Sequence, residues 1–172
     1  MDEPAGIDSL IAVLKHGDTE NRRAAVHQLE EAGAAAIPPL VALLREADDN
    51  DVRWYAAVAL SRIGEPAMAP LLDAMKTSGD LQFRRYAAAA IGEIGVPAID
   101  PLIAALNSDD PELRGVIAMA LCRIGRPAIG PLTRAMEHGD ELLKECAALA
   151  LWKMGEHGID ALVQDVKREQ GS

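Results

Sequence analysis

Three stretches decide how this chain folds: GEPAMAPL at 64–71, GVPAIDPL at 95–102 and GRPAIGPL at 125–132. Each opens on glycine, sets one proline two residues on, and sets a second just ahead of a leucine. Worn copies flank them, GAAAIPPL at 33–40 and GEHGIDAL at 155–162. The glycines close the dipeptides Ala32-Gly33, Ile63-Gly64, Ile94-Gly95, Ile124-Gly125 and Met154-Gly155, at successive spacings of 31, 31, 30 and 30. A fixed period of this length marks a repeat array, in which each unit buries its apolar side only against its neighbours.

Working outward, Arg22, Arg53, Arg84, Arg114 and Lys144 stand eleven residues before the five glycines, and Asp18, Asp49, Asp80, Asp110 and Asp140 stand fifteen before them. An aspartate ahead of a helical run is a good N-cap, and a base four residues on lies one turn away. Each repeat therefore reads as helix A, a short turn and helix B. Pro39, Pro70, Pro101 and Pro131 suit the first turn of helix A, and Gly17, Gly79 and Gly139 suit a left-handed cap at its end. The reading predicts five helix pairs over 7–33, 34–64, 65–95, 96–125 and 126–155, in one domain spanning 1–172. A capping helix follows over about 158–170, its polar residues Gln164, Asp165, Lys167, Arg168 and Glu169 facing solvent.

The bulk composition agrees with an all-α class. Apolar residues make up 49% of the 172 but aromatics only 3%, so the core is built from alanine and aliphatic side chains at close helix contacts. The net charge of −10 opposes attraction to nucleic acid or to anionic membrane. Two cysteines, Cys122 and Cys146, show no metal or disulfide spacing, and no apolar run is long enough to cross a bilayer. The opening MDEPAGIDSL carries Asp2 and Glu3 where a secretory leader would carry base. The expectation is a cytoplasmic protein with reduced thiols.

These motifs resemble the short HEAT-like repeats of the phycobilisome-lyase type, in which GxPAIxPL is followed by D-x-x-x-R-x-x-A-A-x-A-L-x-x-I-G. The resemblance runs from about Ile7 to Lys167. It implies a right-handed α-solenoid, an α-α superhelix, with the aspartate and arginine ladders interlocking neighbouring repeats as structural residues.

Within helix B, positions twelve, eight, five, four and one before the glycine share one side and hold residues such as Val52, Ala56, Ala59, Leu60 and Ile63. That side is core, and position seven is small throughout. The opposite side, positions ten, six and three, lines the concave surface of a HEAT-like stack. Position ten reads Arg23, Trp54, Arg85, Gly115 and Glu145. Position six reads His27, Val58, Ala89, Met119 and Leu149, and position three reads Glu30, Ser61, Gly92, Cys122 and Trp152. A face that met only water would be polar; the middle row is apolar after the first repeat. The outward row of helix A, Ala42, Asp73, Ala104, Arg134 and Gln164, holds no large apolar residue. Two uses of the apolar row are open: a binding trough, or burial of successive helices B against one another. Trp54, Tyr55, Val58, Arg85, Tyr86, Met119, Leu149 and Trp152 are the candidate contacts, with Tyr55 and Tyr86 at the seam between core and concavity.

No catalytic residue, metal-ligand set or cofactor motif emerges. His16 and His138 sit at helix ends, where imidazole meets the helix dipole favourably. The pattern also resembles deoxyhypusine hydroxylase, whose irons are held by His-Glu pairs near the starts of helices B. The matching positions here are Arg23-Ala24, Trp54-Tyr55, Arg85-Tyr86, Gly115-Val116 and Glu145-Cys146, and no such pair survives. Two functions follow from the resemblance and the trough. The first is a non-enzymatic scaffold binding a protein segment on its concave face, as a monomer or with weak self-association. The alternative is a subunit of a bilin chromophore lyase or isomerase, with Arg23 or Arg85 meeting the propionates of an open-chain tetrapyrrole.

Overall fold

A computed structural model describes residues 6–170. Asp2 and Glu3 lie outside the described residues, as do the side chains of Asp165, Arg168 and Glu169 at the expected cap. Among the described residues there are helices and turns and no strand. The fold is all-α and built from helix pairs, as the repeat predicts.

Two compact units divide the chain, Met1–Ile94 and Gly95–Ser172. In the first, α1 (Ile7–His16) pairs with α2 (Thr19–Ala32), α3 (Ile37–Glu46) with α4 (Asn50–Ile63), and α5 (Glu65–Thr77) with α6 (Leu81–Ile94). Helices B stack side by side, α2 on α4 on α6, and helices A stack behind them. Leu14, Leu29, Leu40, Leu44, Leu60, Leu71, Met75, Phe83 and Ile91 are fully buried between the two rows. Each such side chain is worth about 1.5–3 kcal/mol of apolar burial. In the second unit, α7 (Ile99–Ala105) pairs with α8 (Pro111–Ile124) and α9 (Ile129–His138) with α10 (Glu141–Lys153), while α11 (Glu156–Gln170) packs on α9 and α10. Its core holds Leu102, Leu106, Ile117, Leu121, Leu132 and Leu151.

The repeated glycine is where the chain turns from helix B into the next helix A. Gly64, Gly95 and Gly125 take φ of 81°, 85° and 77°, with ψ near −140°, a region that side chains exclude. A short 3₁₀ turn follows at Gly33–Ala36, Val96–Ala98 and Arg126–Ala128. In the third repeat this turn merges into α5, so Pro70 lies inside a helix that began at Glu65. Pro39, Pro101 and Pro131 fall in first turns as expected.

None of Gly17, Gly79 and Gly139 takes the expected left-handed conformation, and Gly17 and Gly139 show why a glycine stands there all the same. Their φ values are −75° and −72°, extended rather than left-handed. Glycine is needed there for space: a Cβ on Gly17 would lie 2.7 Å from the Val13 carbonyl oxygen, and one on Gly139 2.5 Å from that of Ala135.

The ladder residues explain how the pairs hold their angle. Asp18, Asp49, Asp80, Asp110 and Asp140 each accept a backbone N–H at the start of a helix B, over 2.7–3.1 Å. The bases reach the other way, to carbonyls at or just past the end of helix A. Arg22 donates to Lys15 O at 3.1 Å, Arg53 to Ala47 O at 2.6 Å, Arg84 to Met75 O at 3.0 Å and Arg114 to Ser108 O at 2.6 Å. Carbonyls left free by helix ending thus gain charged donors. Lys144 instead pairs with Glu141 at 3.3 Å. Arg53 also binds Asp80 of the next repeat at 2.9 Å, and Asn107 binds Asp140 at 2.9 Å, so the ladder ties repeats together within each unit.

Candidate functional site

Positions ten and six of helix B emerge on the side away from helix A, while position three is half-buried at Glu30 and Ser61 and buried at Gly92, and the two units present different chemistry there. In the first unit, α2, α4 and α6 lie in matching register: Arg62 of α4 reaches Glu30 of α2 at 3.6 Å, and Arg53 of α4 reaches Asp80 at the start of α6. Position ten therefore forms a row across three neighbouring helices, Arg23, Trp54 and Arg85. Trp54 is 50% exposed and both arginines are exposed. Neither arginine has a hydrogen bond or ion pair among the described residues. One position away, Arg22, Arg53 and Arg84 are all engaged.

Trp54 is held from beneath. Its ring meets that of Tyr55 edge to face, with centroids 4.8 Å apart and planes at 79°. Tyr55 is only 7% exposed, and the Arg22 guanidinium lies 5.6 Å from its ring centre. An edge-to-face pair and a cation against the ring each add about 0.5–1.5 kcal/mol to the packing. Tyr55 is thus a support for Trp54, while Tyr86 is half-buried. One turn further on, half-buried Val58 and Ala89 form a shallow apolar shelf beside exposed His27, which sits 3.7 Å from Glu30. Phe83 is fully buried under Arg45, whose guanidinium lies 5.4 Å from the ring centre.

In the second unit, α8 and α10 are adjacent and in register, with Cys122 Sγ 3.8 Å from Ala150 O. Their outward sides form three levels: Gly115 with Glu145, Met119 with Leu149, and Cys122 with Trp152. Met119, Leu149 and Trp152 are 53%, 51% and 62% exposed. Ala42, Asp73, Ala104, Arg134 and Gln164 on helices A are exposed too, but they present no comparable apolar surface.

Neither thiol is poised to react. Burial pushes the Cys122 thiol up against the opposing pull of Lys153, and burial likewise raises Cys146 despite Arg114. Among the described residues no cluster of three histidine, cysteine or carboxylate groups could hold a metal ion. No single described helix is long and apolar enough to cross a membrane. The sequence reading did not foresee the contact of Arg126 with His157, 2.6 Å between Nη2 and Nε2, which pins α11 to the turn before α9.

Comparison with known proteins adds sequence evidence. A family model for HEAT repeats matches residues 7–92, 68–151 and 99–170. A phycocyanin operon protein, protein Z, of Pseudanabaena tenuis (strain PCC 7409) is 48% identical over 54 residues, a match spanning 31% of this chain and 27% of that protein's length. Among solved structures, the complex of CpcE and CpcF of phycocyanin lyase from Nostoc sp. PCC7120 matches with a TM-score of 0.45 at 21% identity, over 84% of this chain and 96% of that one. A designed armadillo repeat protein matches with a TM-score of 0.35 at 18% identity, over 92% and 91%. The expectation of a non-enzymatic chain is corrected by the sequence match, which is to a phycocyanin operon protein.

Proposed function

The chain belongs to the HEAT-repeat family, and from that premise we propose that it is a subunit of a bilin chromophore lyase or isomerase, holding an open-chain tetrapyrrole on its first unit. The observation that carries this reading is the row Arg23, Trp54 and Arg85. A bilin is a flat conjugated ligand bearing two propionates. An exposed indole offers it a stacking surface, and two arginines with no partner among the described residues offer each carboxylate a planar donor fork. Neighbouring helix axes lie about 8–10 Å apart, so each arginine stands within a side chain's length of the tryptophan. The sequence identity to a phycocyanin operon protein supports the same ligand class.

The work of these residues is to bind and orient. Arg23 and Arg85 fix the propionates, Trp54 covers one face of the rings and excludes water from it, and Val58 and Ala89 leave room for the pyrrole edges. No cysteine belongs to α2, α4 or α6, so the row supplies position rather than a nucleophile.

The test is titration with a free bilin in a Trp152→Phe background, where Trp54 is the one tryptophan left. Expected are a change in visible absorbance and quenching of Trp54 emission. Arg23→Gln and Arg85→Gln are each expected to weaken binding by about tenfold, with unchanged helicity. A bilin spectrum unaltered by the protein, or binding indifferent to both arginines, overturns the reading.

A further inference from the structure

We propose that the second unit docks an amphipathic helix of a protein partner, apolar along one side with a basic residue at one end, in the strip between α8 and α10. The inference rests on the reading of the chain as one component of a lyase and names the chemistry of what that component grips.

Three side chains of the kind that anchor interfaces, Met119, Leu149 and Trp152, stand more than half exposed on two adjacent helices. Size argues against a second copy as the occupant. Together they leave on the order of 300 Å² of apolar surface open, and two such patches face to face fall far short of the roughly 1,200–2,000 Å² that stable pairs bury. The strip instead matches two turns of a helix, whose anchors recur every three or four residues, the spacing of its own levels.

Charge sets the polarity of the occupant. Glu145 lies one turn before Leu149 on the same face of α10; it is exposed and has no hydrogen bond or ion pair among the described residues. Opposite it, Gly115 leaves the α8 side open, since a Cβ there would meet nothing within 4 Å. An arginine or lysine at that end of the incoming helix fills the space beside Gly115 and pairs with Glu145. The other end closes against the Trp152 ring, with the half-buried Cys122 as floor.

The probe is a fluorescein-labelled helical peptide of about fourteen residues with leucines at i, i+3, i+4 and i+7, made with either arginine or glutamate at its Glu145 end. In a Trp54→Phe background Trp152 is the one tryptophan. Saturable anisotropy is expected with a blue shift of Trp152 emission. Leu149→Arg and Trp152→Ala are each expected to weaken binding by at least about tenfold; both sites are exposed, and circular dichroism checks that folding is kept. Glu145→Lys is expected to lower affinity for the arginine peptide and raise it for the glutamate peptide.

Peptide binding that ignores Leu149→Arg, or a Glu145→Lys variant with unchanged preference, overturns the proposal. So does a wild-type dimer that Leu149→Arg dissolves, because a second copy would then cover the strip. Leu149→Arg, Trp152→Ala and Glu145→Lys leave Arg23, Trp54 and Arg85 in place, and the bilin titration is run on a chain that keeps Trp54. A failed bilin titration with intact peptide docking removes the lyase reading alone, and the reverse result removes this one.

Discussion

Asp80 shows how much one carboxylate does in this repeat. It caps α6 through Gln82 N–H and receives Arg53 across the repeat boundary at 2.9 Å. Burial pushes its carboxyl upward, but the Arg53 hydrogen bond, the N–H groups of Phe83 and Gln82 and the Arg53 charge together outweigh it, so the folded value lies below the ordinary 3.8. A depressed carboxyl contributes stability that is present above its unfolded value and lost as the pH falls through the folded one. Asp80→Asn is therefore expected to be less stable than the wild type at neutral pH, with the gap closing below about pH 4. Urea unfolding of both proteins along a pH series measures this, and a gap that stays constant with pH would refute it.

At the scale of the element, each helix B is delimited by devices the sequence states openly. Asp110 accepts the N–H groups of Glu112 and Leu113 at 2.9 and 3.1 Å, and Pro111 occupies the first helical position, where no donor is lost. Asp110→Ala is expected to cost about 1 kcal/mol, read from chemical denaturation. Asp109→Ala, at an exposed neighbour outside the cap, is expected to stay within about 0.5 kcal/mol. Equal losses at the two sites would show that local charge, not capping, matters. The far ends of helices A follow a different rule, because their free carbonyls are met by arginines from the next helix. That is why an arginine recurs four residues after Asp18, Asp49, Asp80 and Asp110, and why Arg84 tolerates being only 4% exposed.

For the whole molecule, the charge balance makes a bound bilin's salt response informative. A chain of net charge −10 repels a dianionic ligand everywhere except where cations are left unpaired, as at Arg23 and Arg85. Bilin affinity is therefore expected to fall as salt rises, since screening shortens from about 10 Å at 0.1 M to about 3 Å at 1 M. The Arg23→Gln/Arg85→Gln double variant is expected to bind weakly with little remaining salt slope. A variant that keeps the wild-type slope would place the electrostatic contact elsewhere.

The helix pairs, their caps and their turns were legible from residue type alone, because each depends on local backbone chemistry: Gly64 on its positive φ, Asp110 on its free N–H neighbours, and Val52, Ala56 and Leu60 on helical periodicity. Extended Gly17 and Gly139 escaped that reading, since their need is room beside a carbonyl one turn back. The two sides of helix B were legible as well. Repeat position also set the ladder residues Arg22 and Arg84 apart from Arg23 and Arg85; what it did not supply was the partner each adjacent arginine meets. Arg22 and Arg23, like Arg84 and Arg85, are the same side chain at adjacent positions, and only the placement of a preceding helix end engages Arg22 and Arg84 and leaves Arg23 and Arg85 open. Trp54 and Tyr55 part in the same way, at 50% and 7% exposure, because Tyr55 faces Arg22 and Trp54 faces out. Local propensity determined the helices, and the packing of one helix on the next decided which charges and rings were left for a ligand.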